Sequence, residues 1–477
     1  MSIMLINPSG GYHHEYPPQG LLSLAAYLRT KGREVHFLDE GALSAPKNEF
    51  LDGVRKYSPK YVGLSLYTTN ISRCYQLIRA IKGYDRSIRI IVGGPHATAM
   101  PEYTLRECPE IDFLVAGEGE ITLEELLDTL DSGREAAGIK GVYSRSGEDG
   151  GVLNFAGERE YLADLDSLPF PAHDLVDLDT YQKNPISVGK RIGAIITSRG
   201  CPFNCVFCNK AVFKSVIRRR SVARVIEEIQ FLINNHGVDE IYFQDDLFAL
   251  DKKWLYEFMD KLRDAGITIP WRMLVRVDIL GYEDYAALKK AGCYLLQFGV
   301  ESGSDIILKD IKKNISKAKV IEAFRAAREN GLQTYGFFIF GHRLDTKKSI
   351  LETFAFAKKI QCDFTSFFLL VPFPGTKVYQ YLPDNLKHDW QRIQYINWNK
   401  DLDPISICEV PGGELAQFEE QVNMEFYGRF SYLLNNVFHQ KNYAKMCLLK
   451  FRWWLRNTLA LARHIAMGRE RIFKISS

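Results

Sequence analysis

The sequence predicts an α/β protein built from an N-terminal doubly wound parallel sheet, a partial (β/α)6 barrel and a helical C-terminal appendage. Two observations predict it. Short β-rich runs alternate with amphipathic helical stretches in two separate series, and an extended stretch with two prolines in three residues, Pro169-Phe170-Pro171, divides them. At 477 residues the chain exceeds what one core organises. The expected division is residues 1–145, a linker 146–190, a second domain 191–400 and a C-terminal helical region 401–477.

Ile3–Ile6, Glu34–Leu38, Tyr61–Leu66, Arg89–Val92 and Phe113–Ala116 read as the strands of the first series. Between the first two, Leu21, Leu22, Leu24, Ala25 and Leu28 fall at helical spacing, the mark of a βα unit. Five such units make a doubly wound sheet whose ligand site lies at the carboxyl ends of its strands. There the third strand runs into Ser65, the fourth into Gly93-Gly94-Pro95-His96 and the fifth into Gly117-Glu118-Gly119-Glu120. Small residues in three consecutive loops let a large flat ligand approach the backbone, while tight strand-to-helix turning would account for any one loop alone.

The second series reads Ile192–Ile196, Glu240–Phe243, Ile269–Met273, Tyr294–Gly299, Gln333–Phe340 and Phe364–Leu370, with helices such as Val222–Asn235 and Lys252–Ala265 between them. Six units suggest a barrel or partial barrel of the TIM type, again with active residues at the carboxyl ends.

Hydrophobic residues at 46% and charged residues at 25% are ordinary for a globular protein and argue against disorder. The start, MSIMLINPSGG, has neither the basic opening nor the apolar segment of a signal peptide, and no apolar run of about 18 residues occurs. A cytoplasmic protein is expected. Six of the nine cysteines stand alone in apolar or helical surroundings, as small buried hydrophobes do, and an odd count argues against a disulfide framework.

Cys201, Cys205 and Cys208 differ. They lie in the segment TSRGCPFNCVFC, which follows the first strand of the second series, where a barrel keeps its active site. Thiolates separated by three and two residues can wrap one face of a cubane cluster. A structural zinc site wants four protein ligands, and no Cys or His stands at a finger-like interval to complete one. A purely electron-transferring cluster is usually fully ligated too. Three thiolates leave one iron open to a substrate or cofactor.

A CxxxCxxC segment in this position resembles the radical S-adenosylmethionine (SAM) superfamily, and the resemblance extends over roughly residues 1–380. It implies a 4Fe-4S cluster on Cys201, Cys205 and Cys208, whose open iron chelates the amino and carboxylate groups of SAM. Reductive cleavage would then give methionine and a 5′-deoxyadenosyl radical. Phe207 would lie near adenine. Tyr242 to Asp246 resembles the family's second-strand end, which brings Asp246 to SAM. Trp271 to Asp278 resembles the third and Gly299 to Gly303 the fourth, so that Arg276 would pair with the SAM carboxylate and Glu301 would lie near its ribose or amino group. A barrel-rim ion pair is the alternative for each, although a cation and a carboxylate at adjacent strand ends suit a zwitterion. Gly336 to Arg343 occupies the fifth-strand position but departs from the usual Gly-Leu-Pro-Gly-Glu-Thr at His342, Arg343, Leu344 and Asp345. Val371 to Thr376 matches the sixth.

The helix start Pro17-Pro18-Gln19-Gly20, the GGPH loop and the GEGE loop resemble the cobalamin-binding subgroup. The resemblance implies cobalamin held through Ser65, Gly93, Gly94, His96, Gly117 and Glu118. No Asp-x-His-x-x-Gly motif occurs, which implies cobalamin with its own base displaced and no obvious histidine in its place. His96 either serves there or caps the following helix and hydrogen-bonds within its loop.

Net charge is +3, yet residues 441–477 carry nine Lys or Arg against one acid, leaving 52 basic and 57 acidic residues elsewhere. On a helix, Lys441, Lys445, Arg452, Arg456 and Arg463 form one stripe, with Phe451, Trp454, Leu455, Leu461 and Ile465 opposite. That pattern describes a helix at an anionic membrane surface or one packed on the barrel, and nucleic acid is not expected.

The expected function is methylation of an unactivated carbon of a small-molecule or lipid-like substrate, with an electron donor such as flavodoxin or ferredoxin. Subgroup members also perform radical rearrangement, ring contraction and cyclisation. From another class, a non-catalytic cobalamin or redox sensor fits the same domains. Localisation is cytoplasmic, with peripheral contact at the inner face of the membrane if the tail is interfacial.

Overall fold

A computed structural model describes residues 2–10, 14–42, 49–146, 152–181, 184, 186–393, 402–429 and 455. In the first domain β1 (Ser2–Asn7), β2 (Glu34–Asp39), β3 (Tyr61–Ser65), β4 (Arg89–Gly93) and β5 (Phe113–Val115) run parallel. Their order is β2-β1-β3-β4-β5. Parallel strands buried on both faces read as continuous apolar runs, which is why Ile3-Met4-Leu5-Ile6 was legible. Ile3 and Leu5 share a core with Leu21, Leu28 and Leu126 on one face, and Met4 and Ile6 share another with Leu77, Ile78 and Ile81. Winding reverses between β1 and β3, so a crevice opens above their carboxyl ends.

The sheet continues past residue 145 through the antiparallel strands β6 (Val142–Ser146) and β7 (Val152–Phe155). Tyr143 stacks on Phe155 with ring centroids 4.0 Å apart, and the hairpin covers the open edge of β5.

The second domain holds β8 (Ile192–Ile195), the short antiparallel pair β9 (Ser198–Arg199) and β10 (Arg218–Arg219), and then β11 (Glu240–Phe243), β12 (Trp271–Val275), β13 (Cys293–Glu301), β14 (Gln333–Phe340) and β15 (Phe364–Leu369). The six long strands are parallel and lie in chain order, leaving β8 and β15 as edges of an open barrel. β12 starts two residues later than the apolar run suggests. Pro270 has no N–H to give the ladder, although its carbonyl accepts from Ile241. Helices Val222–His236 and Lys252–Asp264 start where Ser221 and Asp251 cap them.

The C-terminal part crosses back. The helix Gly412–Gly428 packs on β15, with Phe418 5.4 Å from Phe340 and the Tyr427 hydroxyl bonded to Thr365. Tyr379, Leu382, Trp390, Ile393 and Ile405 join the core of the first domain, and the Trp390 indole donates to Glu107 at 2.7 Å. The described residues on either side thus tie the C-terminal part to both domains, and the expected boundary at 400 lies outside the described residues. The basic tail lies outside the described residues apart from Leu455, which is exposed. Among the described residues no helix is long and apolar enough to cross a membrane.

Candidate active site

The cysteine loop leaves the carboxyl end of β8 and is tethered at several points. Thr197 donates to the buried Asp245 through its amide at 3.1 Å and its hydroxyl at 2.7 Å. Gly200 has φ +91°, and a Cβ there would meet the Val216 carbonyl oxygen at 2.2 Å, so the turn into Cys201 admits glycine alone. The Lys210 ammonium donates to the Cys201 carbonyl at 3.0 Å, the Asn209 amide to the Pro374 carbonyl at 2.9 Å, and the Val206 N–H to the Ile311 carbonyl at 3.1 Å. Cys201 and Cys205 are half-buried and Cys208 is exposed. Among the described residues no three His, Cys, Asp or Glu side chains converge as a single-ion site requires. Thiolates that each hold a separate iron of one cluster need no such convergence.

Around this loop the structure gathers Arg276 and Glu301 from the ends of β12 and β13, and Lys313 from the segment between the helices Asp305–Asp310 and Lys317–Glu329. The Lys313 ammonium donates to Glu301 at 2.7 Å, and both side chains are 8% exposed. Glu301 has φ +68°, a conformation that costs a non-glycine residue roughly 1–3 kcal/mol and collects at functional sites. Gly299 makes room for the pair, since a Cβ there would lie 2.5 Å from the Glu301 carboxylate. Arg276 is bonded to both Asp278 oxygens at 3.0 and 2.9 Å and to the Lys313 carbonyl at 2.9 Å, and it covers the Phe203 ring at 3.7 Å. Burial pushes the Cys205 thiol up, and the fields of Lys313 and Arg276 oppose that shift. Although Cys208 as a residue is exposed, desolvation of its thiol and the charge of Asp246 push it up, to about 11. Free thiols here resist ionisation, whereas cations at this distance suit thiolates bound to metal.

Phe207 is half-buried, 5.8 Å from the ring of His342. His342 is 1% exposed, burial lowers its pKa to about 3, and neither ring nitrogen has a hydrogen-bond partner. Two orphaned polar atoms at the departure from the family pattern are a place for a ligand's donor or acceptor.

Two cavities meet at this loop. The first, of ≈ 250 Å³, lies at the winding reversal of the first sheet, between Asn7, Gly20, Ser65, Gly93, Gly94 and Gly117. It runs down the sheet face over Leu5, Gly63 and Ile91. At Gly20 and Gly117 an added Cβ would stand in open space, so the absent side chains leave a cradle. Gly94, with φ +95° and a Cβ position 2.9 Å from the Leu66 carbonyl oxygen, is required by its own turn. The second cavity, of ≈ 330 Å³, is lined by Cys201, Cys208, Asp246, Thr68 and Phe373. Both cavities are bounded by Tyr67, Pro95, Val212 and Phe213.

Two of the expected cobalamin contacts have protein partners of their own. His96 does not line the crevice. It is fully buried behind β4, bonded through Nδ1 to the Thr68 hydroxyl at 3.0 Å with its edge against Trp390, and burial lowers its pKa to about 4. Glu118 borders the crevice, but Arg199, Arg218 and the Leu162 N–H occupy its carboxylate at 2.7–3.0 Å. Arg199 also bonds Glu120 at 2.6 Å. This buried ion cluster joins the two domains one residue before Gly200-Cys201. Lys313 and the partners of Glu118 were missed from the sequence.

A cysteine loop at the carboxyl end of a parallel barrel, with a crevice of a doubly wound sheet beside it, is the arrangement of an enzyme that brings several cofactors together. Residues 10–127 match the B12 binding domain model, and residues 195–357 match the Radical SAM superfamily model. The chain is 33% identical over 432 residues to an uncharacterized methyltransferase of Pyrococcus horikoshii, covering 90% of this chain and 91% of the relative. It is 27% identical to the anaerobic magnesium-protoporphyrin IX monomethyl ester cyclase of Rubrivivax gelatinosus, covering 83% and 73%. The structure of the radical SAM methyltransferase TsrM from Kitasatospora setae, with cobalamin and a 4Fe-4S cluster, superposes with a TM-score of 0.64 at 20% identity, covering 79% of this chain and 73% of that one. The chain belongs to the cobalamin-binding radical SAM enzymes. Its cofactors are a 4Fe-4S cluster, SAM and cobalamin.

Proposed function

We propose that this enzyme methylates an unactivated carbon of a small-molecule or lipid-like substrate. The shared boundary of the two cavities carries the reading. Tyr67, Pro95, Val212 and Phe213 border both, so groups bound on either side reach one substrate position. When bound, SAM on its cluster supplies hydrogen abstraction and cobalamin supplies the methyl group; the protein aligns them and excludes water.

Cys201, Cys205 and Cys208 hold the cluster. Glu301 and Lys313, preorganised as a buried pair, receive the amino and carboxylate groups of SAM; Arg276, expected to pair with that carboxylate, is already held by Asp278 and backs the pair through the Lys313 carbonyl. Phe207 and His342 flank the adenine side, and Asp246 borders the cavity beside Cys208. Ser65, Gly93, Gly94 and Gly117 line the corrin crevice, while Glu118 fixes its wall. Among the described residues no histidine lines the crevice, which supports cobalamin with its base displaced. Flavodoxin or ferredoxin donates the electron, and the basic tail rests on an anionic membrane.

Anaerobic reconstitution with cluster, SAM and methylcobalamin tests the reading: 5′-deoxyadenosine should form together with product one CH2 heavier than substrate. Product of unchanged composition would favour cyclisation or rearrangement, the second reading, which the likeness to the cyclase supports. Corrin binding without any 5′-deoxyadenosine would favour a sensor. Truncation after Gln440 should reduce sedimentation with anionic liposomes and leave cluster content intact.

A further inference from the structure

Reductive cleavage of SAM requires an electron from outside, and two approaches to the cysteine loop are closed. Cys201 and Cys208 face the cavity bounded by Thr68 and Pro95 of the first domain, which cofactors and substrate fill under the proposal above. The far end of the barrel lumen has a floor. There the Arg272 guanidinium donates to the Tyr16 hydroxyl at 2.6 Å and to the Ser187 hydroxyl at 3.1 Å, and Tyr16 packs on Tyr242 with ring centroids 5.0 Å apart. Cys205 and Val206 line neither cavity, and the nearby Pro202 and Asn204 are exposed, so this stretch is the outward side of the loop.

Two segments clamp the Val206 peptide. Its N–H donates to the Ile311 carbonyl at 3.1 Å, and its carbonyl accepts from the Val378 N–H at 3.3 Å. Lys312 follows Ile311 and Lys377 precedes Val378, and both lysines are exposed. Lys309 is exposed too, three residues after Ile306 and thus on the same face of the helix Asp305–Asp310, and Ile306 is 70% exposed. Among the described residues none of these three lysines is in an ion pair, whereas the acids beside them are: Asp305 lies 3.2 Å from Lys317, and Asp310 lies 2.5 Å from Arg343. The Arg343 guanidinium also covers the ring of Tyr381 at 5.5 Å, and Tyr381 is 44% exposed. Arg343, from the loop that departs from the family pattern, therefore joins the two segments into one outer face. Ile306 and Tyr381 stand on it among cations that no neighbour neutralises. An exposed hydrophobe by itself is ordinary; two of them framed by lysines, directly over a cluster ligand, make a contact surface.

We infer that this face docks a small acidic one-electron carrier protein. The inference rests on the electron-donor part of the proposal above and adds the surface and the charge of the partner. One electron leaves the carrier and enters the cluster, so the carrier is oxidised and the cluster reduced, with no bond formed or broken. The route is short, from a carrier seated over Lys312 and Lys377, across the hydrogen bond between the Ile311 carbonyl and the Val206 N–H, to the thiolate of Cys205 one residue away. Unpaired lysines draw an acidic partner in from a distance and set its orientation, and the two apolar side chains give it a dry contact.

Two readouts on anaerobic holoenzyme test this: biolayer interferometry against oxidised flavodoxin and oxidised ferredoxin, and the rate of 5′-deoxyadenosine formation with each carrier reduced. At about 0.02 M NaCl at least one carrier should bind wild type and drive SAM cleavage, and about 0.5 M NaCl should weaken both effects. A triple variant, Lys309→Glu with Lys312→Glu and Lys377→Glu, should lose about tenfold in affinity and in rate at subsaturating carrier. With reduced methyl viologen, a small cation that needs no docking face, the variant should cleave SAM at least as fast as wild type and hold the same cluster content, which separates a lost surface from a lost fold. Equal carrier affinity and rate in variant and wild type would overturn the inference, as would a wild type that methyl viologen reduces and neither carrier does. Absence of SAM cleavage in wild type even with methyl viologen would instead refute the functional proposal, while the binding measurement would still report on the surface.

Discussion

The two parallel sheets hold their sites at the same ends by opposite means. The first, in which winding reverses between β1 and β3, offers a crevice made by omission, with glycines at 20, 93, 94 and 117 and a wall that is mostly aliphatic. The second has no reversal and offers a site made by charge, with the Cys205 thiol in the field of Arg276, Lys313 and Glu301. A large cofactor can be seated by shape, but a zwitterion on a metal cluster needs preorganised ions. The contrast teaches that each sheet should fail under a different kind of substitution.

The largest expected effect is on the charged site. Cys201→Ala, Cys205→Ala or Cys208→Ala should each abolish 4Fe-4S absorbance and SAM cleavage, whereas Cys293→Ala and Cys362→Ala, both buried in the core, should retain them. Full SAM cleavage by any triplet variant would end the assignment of the loop. Next, Lys313→Met should lower SAM cleavage by about 100-fold, the scale of losing one preorganised electrostatic contact, with cluster content unchanged. An equal loss of hydroxocobalamin affinity in that variant would break the comparison, because the two sites would then not be separable.

On the shape side, Gly20→Leu should weaken hydroxocobalamin binding by about tenfold, near the worth of one misplaced buried side chain, while cluster assembly proceeds. Unchanged corrin affinity would mean that the crevice is not the corrin site. The last effect touches stability alone, in the sheet beneath the crevice. Burial raises the pKa of Asp131, but hydrogen bonds from Tyr61, Lys60 and Arg33 overcome it and hold the group at about 2. A depressed carboxylate stabilises the fold above its unfolded pKa near 4 and loses that contribution as pH falls through 2. Urea titrations at pH 5 and pH 2.5 should thus show a smaller acid loss in Asp131→Asn, by up to about 2 kcal/mol. An identical loss in both proteins would remove Asp131 from the account.

The strands of both sheets were legible because parallel strands buried on two faces leave apolar runs that need no partner to be read. The cysteine loop was legible for a similar reason, since its ligands are local. Lys313 was not. It stands with Lys309 and Lys312 in a stretch that reads as a solvated face, and what buries it is the bulge that turns Glu301 into a left-handed conformation. The cluster at Glu118 was equally hidden, since Arg199 and Arg218 are 81 and 100 residues away. For His96 the sequence left ligation and hydrogen bonding within its loop both open; in the structure Pro95 starts the helix, and the ring bonds the Thr68 hydroxyl and lies 4.9 Å from Trp390.

Tyr16 has a further meaning when the chain is considered as it is made. Its hydroxyl meets Arg272, 256 residues later. At a synthesis rate of about 5–20 residues per second, Tyr16 waits on the order of 10–50 s before that guanidinium exists. During that interval the first sheet can close on its own local contacts, while the loop that will floor the barrel stays without its partner. Assembly of the lumen is therefore a late, long-range event, and a ribosome pause downstream of the first domain would lengthen the time in which this loop is open to other contacts.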